Sequence, residues 1–133
     1  MREILFRGKR LDNGEWKYGS YSYQYGCHEI LLETCEGEYG FDHYEVDSST
    51  ICQYTGLNDK NGKRIFEGDI VRFKWDVERN YFFFIEFSDG EFCAMPMCSS
   101  DDVWPFRISG ENEKLEVIGN VHDTELLRGG EDA

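Results

Sequence analysis

At 133 residues, with 40% hydrophobic and 16% aromatic content, the chain suits one domain or two small β subdomains, without metals or disulfides as staples. Its formal net charge is −13, with 5 basic against 10 acidic residues up to Leu57 and 9 against 17 beyond it. Acidity so widely spread disfavours nucleic acid or an anionic membrane as a partner, since both need Lys and Arg to displace counterions from phosphates.

Residues 4–11, the triplet Asp12-Asn13-Gly14 and residues 15–25 are predicted to form a hairpin. Asn-Gly supplies the positive φ that a type I′ turn needs at both central positions. Along the second strand Trp16 and Tyr18 share one parity, while Tyr21, Tyr23 and Tyr25 share the other. The switch at Gly19-Ser20 predicts a bulge. A third strand is expected over 28–33, around Ile30, Leu31 and Leu32. A glycine-punctuated turn over 35–40 then leads to a strand over 41–46.

The polar run 47–50 reads as a connection. It separates an N-terminal β subdomain, 1–49, from a C-terminal one, 50–128, with a frayed acidic tail at 129–133. A short strand over 50–55 precedes a turn-rich stretch, 56–68. Residues 69–75 alternate, placing Val71, Phe73 and Trp75 on one face. Residues 80–87 contain Tyr81-Phe82-Phe83-Phe84-Ile85, apolar on both faces, which predicts a central, well-covered strand. Ser88-Asp89-Gly90-Glu91 turns the chain into a strand over 92–95, limited by Pro96.

The stretch 99–113 is polar except for Val103-Trp104-Pro105-Phe106. A closing strand over 115–121 has Leu115, Val117 and Val121 in phase, and Asp123 or Thr124 is placed to cap one helical turn through Leu127. The fold class is therefore mostly β: two small β subdomains, the C-terminal one an SH3-like barrel. Strand spacing fits another small barrel or a sandwich equally well.

Three sets of motifs resemble the YopX-like family of bacteriophages and prophages. The start carries Phe6-Arg7-Gly8-Lys9-Arg10 and Asp12-Asn13-Gly14-Glu15-Trp16. The middle carries Gln53-Tyr54-Thr55-Gly56-Leu57, Asp59-Lys60-Asn61-Gly62-Lys63 and Ile65-Phe66-Glu67-Gly68-Asp69-Ile70-Val71. The end carries Glu116-Val117-Ile118-Gly119-Asn120-Val121-His122-Asp123, then Glu125-Leu126-Leu127. Ser48 and Thr124 stand where the family commonly has proline, and Cys52 where it often has a small residue. The resemblance implies a phage or prophage origin and an SH3-type barrel in the C-terminal part. It brings no catalytic residues to carry over. Read physically, Gly56, Gly62 and Gly68 suit turns with positive φ, Asp69 is placed to accept backbone N–H groups at a strand entrance, and Gly119 permits a bulge or a close backbone approach.

Three classes of chemistry compete for the remaining residues. Cys27, Cys35, Cys52, Cys93 and Cys98, with His28 and His43, are zinc-type ligands. They form no C-x-x-C pair, and Pro96 interrupts the Cys93/Cys98 spacing, so no metal or other cofactor is expected. An odd cysteine count without a leader-like segment is read as cytoplasmic, with free thiols. The pairs Cys27-His28, Asp42-His43 and His122-Asp123 have the residue types of catalytic dyads, but neighbours on a strand point to opposite faces. The carboxylates Asp101-Asp102 and Glu36/Glu38 fall in predicted loops. No enzyme is expected.

Recognition is the third class. Tyr21, Tyr23 and Tyr25 on one strand face, and Trp104 and Phe106 in a polar loop, are the candidate binding residues; finishing a β core is their alternative role. The expected partner is a host or phage protein, or a second copy of the chain. The alternative, a nucleic-acid-associated small β-barrel, would have to use the local basic cluster Arg2, Arg7, Lys9 and Arg10.

Overall fold

The structure, a computed structural model, describes residues 4–33, 41–74, 77, 79–97 and 103–123; the side chains of Glu33 and Phe41 are not described. Arg2, Cys35, Glu36, Glu38, Trp75, Cys98, Asp101, Asp102, the turn beginning at Thr124 and the tail 129–133 lie outside the described residues. The chain divides into two compact units, Met1–Tyr54 and Thr55–Ala133. Its described structure is strand, turn and two short 3-10 segments.

In the first unit, β1 (Phe6–Lys9), β2 (Trp16–Gln24), β3 (Cys27–Glu33), β4 (Phe41–Glu45) and the start of β5 (Cys52–Asn58) lie in the order β4-β3-β2-β1-β5. All the pairings are antiparallel, as short turns demand. Ile30, Val46 and Cys52 are buried. A 3-10 turn at Ser48–Thr50 follows β4, capped by Asp47, whose Oδ1 accepts from the Ser49 N–H at 3.0 Å. The Thr50 hydroxyl oxygen in turn accepts the Lys9 N–H at 2.9 Å.

Two expectations for this unit are corrected. The Asn13-Gly14 loop is not a type I′ turn, because only Gly14 has positive φ, 72°. Arg10 bridges Val46, and the Leu11 N–H donates to the Glu45 carbonyl at 3.1 Å, so the chain stays engaged beyond β1 and the loop is wider than two residues. The two-residue turn with positive φ at both positions is Tyr25-Gly26 (53° and 79°), between the paired residues Gln24 and Cys27. Tyr25 therefore leaves the strand and does not share a face with Tyr21 and Tyr23.

Gly19-Ser20 is the second correction. Register runs without a shift through Gly19 against β1 and from Ser20 against β3. A Cβ at Gly19 would stand 2.2 Å from the Leu31 carbonyl oxygen, so glycine answers a close backbone approach.

The second unit holds the rest of β5, β6 (Arg64–Phe66), β7 (Asp69–Lys74), β8 (Asn80–Ser88), β9 (Glu91–Pro96), β10 (Phe106–Arg107), a 3-10 turn at Asn112–Lys114, and β11 (Leu115–Asn120). β6 is the neighbour of β5, and the other strands form a five-stranded sheet in the order β10-β9-β8-β7-β11. Two buried carboxylates organise its turns. Asp59 Oδ1 accepts from the N–H groups of Asn61 (2.8 Å) and Lys63 (2.9 Å), and its Oδ2 from that of Val117 (2.9 Å). Asp69 Oδ2 accepts from the Phe66 N–H at 2.7 Å, the strand-entrance role anticipated for it. Gly56, Gly62 and Gly68 all have positive φ. The register of β11 against β7 shifts between Val117 and Gly119, so of the two roles read for Gly119 the structure has the bulge; a Cβ there would meet nothing within 4 Å.

The core of this unit is Ile65, Val71, Phe83, Ile85, Ala94, Ile108 and Leu115. Cross-strand pairing places Val71 opposite Phe83, Phe83 opposite Pro96 and Ile85 opposite Ala94 on its inner face. The expectation that β8 is covered on both faces is corrected: its outer face bears Phe82, 40% exposed. Phe82 pairs with Arg72, which forms an ion pair with Glu116, so the neighbouring strands make that face mixed and wet. The hydrogen-bonded closure of an SH3-like barrel is likewise not among the described pairings. The sheet is open, with β11 at one edge and a two-residue β10 at the other.

Candidate functional site

Strand register in the second unit assembles an aromatic cleft. Phe73 on β7 lies directly opposite Tyr81 on β8, and two pairs further along Val71 lies opposite Phe83. All four side chains point to the inner face, by the two-residue alternation of strands. Val71 is buried on this face, as is Leu115, which lies opposite Phe73 on β11, whereas Phe73 and Tyr81 are half-buried. Phe106 enters from β10, which opposes Ala94 on β9. Its ring meets Phe83 edge-to-face, centroids 5.0 Å apart and planes at 80°.

Trp104 closes the cleft from the segment before β10 and stays 74% exposed, beside half-buried Val103. Glu111, ahead of the 3-10 turn, is the cleft's charged wall residue. Its carboxylate faces Lys114 Nζ at 2.9 Å across an i,i+3 spacing. The cleft has a volume of about 260 Å³. Of the candidate residues read from the sequence, this cleft unites Trp104 and Phe106. Phe73, Tyr81, Phe83 and Glu111 were missed, because only register reveals that they converge.

Tyr21 and Tyr23 stand elsewhere, in the first unit. They flank His28 on β3: the Tyr21 hydroxyl lies 2.6 Å from His28 Nδ1, and the Tyr23 ring centroid is 4.6 Å from that of the imidazole. Phe6 packs on Tyr21 at 5.8 Å. Tyr25 projects alone from the turn tip, 99% exposed.

Among the described residues, the first unit's cations are engaged within the chain. Arg7 and Lys9 lie over the Trp16 ring at 4.8 and 5.5 Å, and Arg10 and Lys17 over that of Tyr44 at 5.0 and 4.5 Å. Arg10 also pairs with Asp12, and Lys17 with Glu15.

Strand alternation keeps Cys27 from His28 and Asp42 from His43 as dyads. Cys27 and His28 oppose Gln24 and Tyr23 respectively, on opposite faces of β3. Negative charge on Glu45, then burial and a hydrogen bond with Glu45, raise the Cys27 pKa. Burial, then the charges of Glu91, Asp89 and Glu86, raise that of Cys93. Both thiols are thereby held away from the reactive thiolate form. His43 Nδ1 lies 3.5 Å from Glu29, and the His122 N–H donates to Asn120 Oδ1 at 2.9 Å. A hydrogen bond from Arg72 is the chief reason that the Glu116 pKa is lowered. No three His, Cys, Asp or Glu side chains converge on a metal position among the described residues.

A family model described as YopX protein matches residues 5–128. The chain belongs to the YopX protein family. No curated protein matches its sequence. The motifs that carry the YopX resemblance are scaffold: Asp59 and Asp69 bind backbone N–H groups, Gly56, Gly62 and Gly68 occupy positive φ, and Gly119 sits at the β11 bulge. The cleft residues Phe73, Tyr81, Phe83, Trp104, Phe106 and Glu111 all fall outside those motifs.

Proposed function

We propose that this YopX-family chain is a non-enzymatic phage or prophage accessory protein that binds a host or phage protein in the bacterial cytoplasm. A segment of the partner enters the aromatic cleft of the second unit. The observation that carries this reading is the half-open cleft itself, with Phe73, Tyr81, Phe83, Trp104 and Phe106 around it and a single carboxylate at its wall. Aromatic side chains contribute large contact area at little entropic cost, which suits a recognition surface. The strand order β10-β9-β8-β7-β11, with a 3-10 turn before the last strand, supports an open SH3-like arrangement for this unit.

The test is affinity capture from a bacterial host lysate with the wild-type chain and with Trp104→Ala side by side. The expected result is a protein retained by the first and lost from the second. Identical retained sets would defeat the cleft as the binding site. Copurification of a small molecule, with no protein above background, would favour an enzyme.

A further inference from the structure

The geometry points to an arginine side chain of the partner segment as the group that fills the cleft. This rests on the cleft being a recognition site and adds the chemistry of its occupant. Aromatic walls meet a carboxylate within about 260 Å³, below the roughly 300–1,000 Å³ of clefts that enclose small molecules, and a size suited to individual side chains. A purely apolar occupant has no use for Glu111. A guanidinium uses both features, stacking its plane on aromatic faces and donating N–H groups to a carboxylate.

Long-range charge acts in the same direction. The sequence from Thr55 onward carries 9 basic against 17 acidic residues, which draws cationic segments and repels phosphodiesters. Nucleobases also stack on aromatic rings, but the strand bearing them would have to bring phosphates toward Glu111 and this acidic surface.

Glu111 already holds a cation of this chain. Lys114 Nζ rests on the Glu111 carboxylate at 2.9 Å, with side-chain exposures of 61% and 44%. An exposed i,i+3 pair of this kind is weak and readily exchanged. An incoming guanidinium takes over the carboxylate, and Lys114 swings into solvent. Removing Lys114 should therefore tighten binding, an outcome that a merely structural Glu111–Lys114 pair does not produce.

The experiment is an NMR titration of the full ¹⁵N-labelled chain with three short peptides identical except at one position: arginine, its neutral isostere citrulline, or leucine. Trp104 is read through its indole N–H signal, assigned with Trp104→Phe, and Phe106 through its backbone amide. The arginine peptide should shift both signals and bind about tenfold more tightly than the citrulline peptide. Glu111→Gln should weaken it roughly fivefold, and Lys114→Ala should strengthen it about twofold, each with unchanged thermal unfolding. Salt should weaken the arginine peptide alone.

Equal binding of all three peptides, with no effect of Glu111→Gln, overturns the arginine assignment and leaves the cleft a binding site. So does a single-stranded oligonucleotide that shifts Trp104 at physiological salt when the arginine peptide does not. Failure of every peptide to shift Trp104 overturns the assignment too. The fate of the cleft reading is then decided separately, by whether capture from lysate depends on Trp104.

Discussion

Replacing Asp59 should cost this fold far more than the size of the side chain suggests. The side chain is buried, and its two oxygens accept three backbone N–H groups from the turn at Asn61 and Lys63 and from Val117 on β11. Hydrogen bonds to a charged acceptor contribute roughly 1.5–3 kcal/mol each, which sets an upper bound of about 4.5–9 kcal/mol for three. Asn61 and Lys63 are exposed, so their N–H groups regain water when the acceptor is lost. The Val117 N–H lies in a half-buried strand and regains little. Asp59→Ala should therefore destabilise the second unit by about 3–5 kcal/mol, and Asp59→Asn by about 2 kcal/mol, since an amide NH₂ turned toward one of the N–H donors repels it. Urea unfolding followed by far-UV circular dichroism reads this as a lower midpoint with little change of slope. Losses below about 1 kcal/mol for both variants would show that Asp59 does not organise the turn.

Three further outcomes are expected. Gly19→Ala should destabilise the first unit by about 3 kcal/mol in the same urea assay, because its Cβ would stand 2.2 Å from a backbone oxygen that cannot move without β3; a neutral result would mean the strands separate freely there. Tyr25→Asn should raise stability by about 0.5–1 kcal/mol in thermal unfolding, since asparagine tolerates the 53° φ and the 99% exposed ring loses no packing; a drop in melting temperature contradicts this. Iodoacetamide should label Cys27 and Cys93 slowly at neutral pH and faster only as pH rises beyond the ordinary thiol range, because both pKa values are raised, and Glu45→Gln should accelerate Cys27 specifically; rapid labelling at pH 7 refutes the assigned electrostatics.

Much of the architecture was legible from alternation and turn chemistry. Val71 and Phe73 share the inner face as their two-residue spacing predicts, and Ser88-Asp89-Gly90-Glu91 is a two-residue turn with positive φ at Asp89 and Gly90. What escaped was short or set by partners. β6 spans only Arg64–Phe66 and β10 only Phe106–Arg107, too few residues to display a period. Asn13-Gly14 carries the strongest local turn signal, yet Leu11 is held by Glu45 and the loop widens. Tyr25-Gly26 carries a weak signal and makes the tight turn, because the β2–β3 register leaves just two residues to connect. The cleft was half legible. Trp104 and Phe106 interrupt a polar stretch, but nothing in the sequence reveals that Phe73 opposes Tyr81, or that Glu111 arrives beside them.

Binding and folding share residues in the second unit. Phe83 belongs at once to the buried core, 3% exposed, and to the cleft wall. Truncating it leaves a cavity among Val71, Ile85, Ala94 and Leu115 and should cost about 3–5 kcal/mol, so a lost interaction in that variant reports unfolding as readily as recognition. Trp104 is the opposite case: mostly solvent-exposed, it has little packing to lose, and its truncation isolates the cleft's contribution. Phe106 lies between them, with one ring edge on Phe83 and the rest of its surface only partly covered. A graded series through these three positions therefore separates the two effects. If binding falls with Trp104→Ala while the melting temperature holds, the cleft is a recognition surface built on a core that folds without it. If binding falls only in step with stability, from Trp104 through Phe106 to Phe83, the aromatics are there to complete the sheet.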